Sequence, residues 1–388
     1  MHNPFEYGRE LKPHELVDRQ EEVRAVVETI RNRGKLFLIG PRRYGKTSIL
    51  EVAAQQATTQ FDAIVLRYDA EAYPTLEQLA QRMVADASKQ LIGFVERAGE
   101  KAARLFGRLR PQVSVDMTHG TFTATFNVAG PPTPDQVPLI TEALNGIDRL
   151  AEETGRTVAV IIDEFQQIVE AGGRTAEGQL RSVMQRHAHV GYVIAGSKTR
   201  LLAAMTSDPS RPFYNMGQRW FLGPIPRPDF TKSLTRGLET AGSVDPKAID
   251  RILDAAEDVP YNVQMLAHEC WDWLYRQPER SNRLTVARVD AATERVVRRL
   301  DGVYTQWWVQ LTSKQQTALV AFLTEQESGL ALAEIARRYG LPLTTLQRAL
   351  EALREKGLLR DEEVQGNVRL RLLDPFFGAW IMLLTAKR

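Results

Sequence analysis

Cysteine is almost missing from this sequence. Cys270 stands alone, so no internal disulfide can brace the fold. It lies in an apolar helical pattern and reads as core. No run of about 18 apolar residues occurs, which excludes a membrane-spanning helix. The first residues carry no apolar signal region, so the chain is read as cytoplasmic, with no membrane partner. Neither sign of charge dominates: 50 Lys and Arg face 48 Asp and Glu, a formal net charge of +2. That balance neither demands nor excludes nucleic acid, and any basic surface has to be local. Internal repeats and low-complexity tracts are absent, which excludes a solenoid. What remains is ordinary for a globular protein. The 388 residues are 43% hydrophobic and 25% charged, and suffice for two or three domains.

The most informative stretch is "GPRRYGKTSIL", residues 40–50. Four residues separate Gly40 from Gly45, and Lys46, Thr47 and Ser48 follow. "KLFLIG" before it reads as a buried parallel strand, and "KTSILEVAAQQA" after it as a helix. A loop between them points backbone N–H groups at an anion, and the helix N-terminus adds positive potential. Glycines let the backbone come close to phosphates. The candidate phosphate site is therefore Gly40, Pro41, Arg42, Arg43, Tyr44, Gly45, Lys46, Thr47 and Ser48. Lys46 would reach the β- and γ-phosphates, and the Thr47 hydroxyl would coordinate Mg²⁺. Arg42 and Arg43 are candidates for a phosphate or a partner subunit, with solvated charge as the alternative.

A second signal is "TVAVIIDEFQQI", residues 157–168. Its apolar run reads as a fully buried strand that ends in Asp163 and Glu164. Ligands bind at the C-terminal ends of open parallel sheets. Asp163 is placed to hold Mg²⁺ through water, and Glu164 to polarise an attacking water. "VGYVIAGSK", residues 190–198, is another buried strand, ending in Gly196, Ser197 and Lys198. Ser197 is a candidate sensor of the γ-phosphate; the alternative is a serine in a strand-end turn. His187 and His189 have no evident third ligand, so no metal site is expected there.

The remaining periodicities set the order of elements. Residues 13–32 and 75–103 read as helices, 62–70 as a strand and 139–154 as a helix. Alternation in "PQVSVDMTHGTFTATFNVAG", residues 111–130, predicts an inserted β-hairpin. Helical segments run from about 229 to 299 with an interruption at Pro260, and read as a small domain over the nucleotide. Residues 330–359 contain two helices with a turn at "GLPL", and 359–373 a strand–turn–strand, together a winged helix. Trp271, Trp273, Trp307 and Trp308 read as core or interface aromatics. The fold class is α/β: a parallel-sheet core over 1–222 with the hairpin inserted, a helical lid over 223–305 and a winged helix over 306–388.

This ordered set resembles the archaeal-type ATPase family, a branch of the P-loop NTPases close to AAA+ and STAND proteins. The resemblance begins at "NPFEYG", residues 3–8, and "VDRQEEV", residues 17–23, where Arg19 and Glu22 match the family's arginine and glutamate. It continues through "GPRRYGKTS", "IIDEFQ" and "AGSK", and ends at "DPFFGAW", residues 374–380. It implies an AAA+-like core, a helical lid, a winged helix, and ATP as the nucleotide. It also implies that Pro260 contacts the nucleotide, although Asp258 stands where the family's lid has glycine. Arg219, ahead of "WFLGPI", matches an arginine that acts as a finger across a homo-oligomer interface; Arg211 competes for the role, and a surface arginine is the alternative. Many relatives continue into a nuclease-like domain, whereas this chain stops soon after "DPFFGAW", so no effector domain of its own is expected.

Two classes of function follow. One is an ATPase that works on duplex DNA, with Thr344, Thr345, Gln347, Arg348 and Arg354 on the recognition helix. The other is a nucleotide-controlled switch whose winged helix meets a protein effector. Glu351, Glu355 and the "DEE" of residues 361–363 favour the second. A third, weaker reading is a nucleotide-dependent scaffold with negligible turnover. All share ATP and Mg²⁺ binding, and the first two imply hydrolysis that is slow or partner-stimulated.

Overall fold

The computed structural model describes residues 2–9, 11–92, 105–106, 109–116, 121–128, 135–277, 283–326, 328, 330–364 and 367–386. The chain divides into two compact units. One is Glu10–Gly223; the other is Pro224–Arg388 together with Met1–Arg9.

The first unit is built on a five-stranded sheet. Its strands are β1 (Lys35–Ile39), β2 (Ile64–Asp69), β5 (Val158–Asp163), β6 (Val190–Gly196) and β7 (Gln218–Phe221), in the order β2-β5-β6-β1-β7. All four pairings are parallel. Parallel strands are covered on both faces, which explains the continuous apolar runs. Every residue of β5 and β6 is buried. The cover comes from α1 (Gln20–Arg31), α2 (Lys46–Phe61), α3 (Leu76–Ala87), α4 (Val137–Thr154), α5 (Gln166–Arg186) and α6 (Thr199–Ser207). The helix α5 kinks at Gly173, whose φ of 64° leaves the helical region. The expected hairpin forms: β3 (Leu109–Asp116) pairs antiparallel with β4 (Thr121–Val128). Part of the helix expected over 75–103 lies outside the described residues.

One expectation needs correction. The first helix does not run unbroken from residue 13. A short 3₁₀ turn, Pro13–Glu15, precedes it, and the backbone then turns through left-handed Asp18 and Arg19 before α1 starts. Arg19 explains the break. Its guanidinium donates to Glu22 Oε1 at 2.9 Å and to the Gly223 carbonyl at 2.6 Å, and the side chain is buried. The edge strand β7 carried no usable periodicity, because its residues are mostly exposed.

The second unit is largely helical. Its elements are α7 (Arg227–Leu238), α8 (Pro246–Ala255), α9 (Pro260–Tyr275), α10 (Val286–Arg299), α11 (Asp301–Val309), α12 (Ser313–Glu325), α13 (Leu332–Arg338) and α14 (Leu343–Glu355). A two-residue parallel pair joins β8 (Ser243–Val244) to β9 (Arg283–Leu284), and α15 (Pro375–Ala386) closes the chain. The wing is antiparallel, β10 (Leu359–Val364) with β11 (Asn367–Leu372). Pro260 opens α9, where its missing N–H costs nothing. The turn between α13 and α14 uses Gly340 at φ 66°. "DPFFGAW" anchors the closing helix: Phe376 and Phe377 are buried, the Tyr304 hydroxyl donates to Asp374 at 3.2 Å, and the Trp380 indole to Asp301 at 2.7 Å. The opening "NPFEYG" packs in this unit too. Asn3 donates to the His268 carbonyl, and the Phe5 ring lies against Gly237, where a Cβ would approach it to 2.5 Å.

Buried His187 sits at the base of β6. Its Nδ1 lies 2.6 Å from the Tyr192 hydroxyl and its Nε2 3.0 Å from Asn145 Oδ1. A proton on Nε2 satisfies both contacts with a neutral ring. Burial pulls its pKa down to about 4, against Asp148 and helped by Arg186, Lys35 and Arg149. The unfolded ring titrates near 6.5, so the unfolded chain binds the extra proton first as pH falls. Stability from the neutral ring is full above about pH 6.5 and is lost on going down to about pH 4, a difference of up to about 3 kcal/mol. Melting curves of wild type and His187→Gln from pH 8 to pH 4 should converge on the acid side. Parallel curves would show that His187 does not titrate there.

Candidate nucleotide site

Three strand ends meet in the first unit. Because β6 lies between β1 and β5, the phosphate loop after β1, the acids at the end of β5 and Ser197 after β6 are neighbours. The loop is set by two left-handed residues, Arg43 at φ 72° and Gly45 at φ 87°, and Gly45 caps α2. Gly40 is required by a close approach: a Cβ there would stand 2.6 Å from that of Leu222. The Ser48 hydroxyl accepts from the Leu11 N–H at 3.1 Å, tying α2 to the preceding segment. Tyr44 is buried.

Lys46 is buried, and its Nζ donates to the carbonyls of Gly40 at 3.0 Å and Pro41 at 3.2 Å. Burial lowers its pKa, with Glu164 and Asp163 opposing. A buried ammonium held by loop carbonyls and two nearby acids is electrostatically ready for an anion. The Thr47 hydroxyl donates to Asp163 Oδ2 at 3.0 Å. Two hard oxygen donors so close together suit Mg²⁺.

Glu164 leaves the strand in a left-handed conformation, φ 50°. Its N–H donates to Asp163 Oδ1, and the next N–H, of Phe165, donates to the Ala195 carbonyl on β6. Its Oε2 accepts from the Ser197 hydroxyl at 2.7 Å, the Ser197 N–H at 3.3 Å and the Gln166 amide. Burial pushes its pKa up, but Lys46, these hydrogen bonds and Arg42 outweigh it, and the carboxyl is held below the usual range. Arg42 pairs with Glu71 at 2.8 Å, and its Nε lies 3.5 Å from Ser197 Oγ. Gln166 carried no functional reading in the sequence, although "DEFQQ" put it beside the acids.

The remaining candidates lie elsewhere. Arg219 is on β7, donating to the Thr206 carbonyl at 3.2 Å and to Ser207 Oγ at 2.9 Å. Arg211 makes a two-pronged pair with Glu177, which is almost fully buried. Pro260 is buried at the start of α9, in the second unit. On α14, Arg354 is held by Glu351 and by Asp361 at 3.1 Å, whereas Gln347 and Arg348 of the same helix are exposed.

Residues 16–203 match the model of the ATPase domain predominantly from Archaea. Over these residues the chain is similar to the archaeal-type ATPase family. Residues 317–363 match the IclR helix-turn-helix domain, which covers the second half of α12, α13, α14 and most of β10. No curated protein matches the chain. Among solved structures it is similar to a Walker-type ATPase of Pyrococcus abyssi, with TM-score 0.63 and 17% identity over 98% of this chain and 99% of that one. It is also similar to the ORC2 protein of Aeropyrum pernix in ADPNP–ADP complexes, with TM-score 0.55 and 14% identity over 99% and 98% of the two chains. These neighbours share the fold: a P-loop ATPase sheet followed by helices. No helix among the described residues is long and apolar enough to cross a membrane.

The geometry assigns separate consequences to Lys46 and Glu164. Lys46→Ala should weaken ATP binding about 10- to 100-fold, the loss expected for a hydrogen bond to a charged group. Glu164→Gln should leave ATP affinity nearly unchanged and slow hydrolysis by about 10² or more. Titration with a fluorescent ATP analogue and steady-state phosphate release measure the two. Equal turnover in Glu164→Gln and wild type would remove Glu164 from the chemistry.

Proposed function

We propose that this protein binds and hydrolyses ATP in its first unit, and that the nucleotide state controls its C-terminal winged helix. One observation carries the reading: Lys46, Thr47, Asp163, Glu164 and Ser197 converge from three adjacent strand ends. The family match over the same residues supports ATPase chemistry. The ADPNP and ADP of the ORC2 neighbour support an adenine nucleotide. Thr47 and Asp163 would hold Mg²⁺, which supplies charge neutralisation on the phosphates. Lys46 exchanges its loop carbonyls for phosphate oxygens. The loop N–H groups and the start of α2 add a fixed positive field. Glu164 orients and polarises the attacking water, and takes its proton as the water oxygen bonds to the γ-phosphorus and the bond from that phosphorus to the bridging oxygen breaks, releasing ADP. Ser197, bonded to Glu164, reads the γ-phosphate at the same point. Arg219 serves a neighbouring protomer, releasing Ser207 to do so; Arg211 is the weaker candidate because leaving Glu177 would strand a buried carboxylate.

Duplex DNA is the partner we favour for the winged helix, on the helix-turn-helix match and the exposed Thr344, Gln347 and Arg348. A protein effector is the second reading, favoured by Arg354, which is bonded to Glu351 and Asp361.

The test of partner is duplex binding with ATP, with ADP and without nucleotide, at two salt concentrations. Binding should depend on nucleotide, weaken with salt through counterion release, and weaken further in Arg348→Ala. Arg354→Ala should act mainly on stability. Absence of binding in every state leaves the protein effector. Assembly has its own test. Mixing Arg219→Ala with Lys46→Ala protein should restore part of the ATPase activity, since each supplies what the other lacks. If mixing restores nothing and turnover per protomer ignores concentration, Arg219 does not act in trans.

A further inference from the structure

We propose that Gln166 is a positioning residue for Glu164: it holds one oxygen of the carboxylate, so that the other is presented in a fixed orientation to the attacking water. The inference rests on the ATPase reading above. Three donors converge on Glu164 Oε2, namely the Ser197 hydroxyl at 2.7 Å, the Ser197 N–H at 3.3 Å and the Gln166 Nε2. None of these bonds goes to Oε1. Hydrogen bonds to a charged acceptor are the strong ones, and three on one oxygen oppose rotation of the carboxylate. The backbone adds a second restraint, since Glu164 is held in the left-handed region at φ 50°.

Gln166 is itself fixed. It is the first residue of α5 and is 1% exposed. Its amide lies against the Cα of Gly196, where a Cβ would collide with Gln166 Oε1 and with Leu202. A glycine at the end of β6 is what lets the amide reach the site. Gln166 Oε1 is buried with no hydrogen-bond partner. Turning the amide over would set that oxygen against the Glu164 carboxylate, so the nitrogen has to face the acid. An amide with an unpaired buried acceptor is a poor device for stability, because an apolar side chain of the same shape avoids the desolvation. The bond its other half makes to Glu164 accounts for an amide at this position. Gln166 Nε2 also lies 3.5 Å from Ser197 Oγ, so the amide, hydroxyl and carboxylate form one cluster.

The experiment is a double-mutant cycle on ATP hydrolysis. Gln166→Leu keeps the volume and removes the donor. It should lower kcat about tenfold or more, with KM and the Kd of a fluorescent ATP analogue within about threefold, because the bond lost is one to a charged group away from the phosphates. In a Glu164→Gln background the same change should produce no further loss, since there is no carboxylate left to hold. Gly196→Ala, which displaces the amide, should shift kcat in the same direction. If Gln166→Leu does not fold, Gln166→Met carries the same expectation. An unchanged kcat in Gln166→Leu, with hydrolysis still abolished by Glu164→Gln, overturns the positioning role and leaves the ATPase reading intact. Losses that multiply in the double variant overturn it as well. Absence of hydrolysis by the wild-type protein, or full activity of Glu164→Gln, overturns both, and analogue binding then shows whether nucleotide is held at all.

Discussion

The parallel pairing of β6 between β1 and β5 is the constraint on which the rest depends. The three strands are far apart in sequence, yet their register aligns Ile39 with Gly196 and Ile162 with Ile194. Both faces of β5 and β6 are buried, so neither strand can slip without exposing apolar side chains. With the register fixed, the polar residues that follow each strand have one place to go. The phosphate loop, the two acids and Ser197 are therefore brought together by an apolar core containing none of them.

Those polar residues then complete each other. Charge out of water is tolerated only where it is bonded: buried Lys46 is held by the carbonyls of its own loop, and half-buried Glu164 by Ser197 at the end of β6. The same rule explains two features outside the site. Arg19 is buried because Glu22 and the Gly223 carbonyl receive its guanidinium, and Glu177 because Arg211 does. Arg19 thus fastens the start of α1 to the last residue of the first unit. In the second unit, hydrogen bonds from Tyr304 and Trp380 secure the closing helix to α11 in a comparable way.

Much of this was legible in the sequence where a local rule applied. Continuous apolar runs ending in glycine or acid marked β1, β5 and β6, because strands buried on both faces must read that way. Glycine spacing and the lysine that follows marked the loop, because backbone near an anion needs residues without a Cβ and helix N–H groups. Helical periodicity and the turn at Gly340 marked α13 and α14. Where a long-range contact overrode the local pattern, the sequence misled or was silent. Arg19 interrupts a helical period because of a carbonyl two hundred residues away, and β7 is a strand only because β1 offers it an edge.

What the sequence determined by itself is the α/β class, the broad order of its elements and the residues at the ends of β1, β5 and β6, since these follow from short-range periodicity and composition. Only the tertiary structure decided which strand ends are neighbours. It also decided that Arg354 is taken up by Glu351 and Asp361, that "NPFEYG" packs with the second unit, and that Gln166 reaches Glu164 across Gly196. The physical reason is the same in each case. Side-chain partners separated along the chain are chosen by the packing of the sheet and helices between them, and no local pattern encodes that choice.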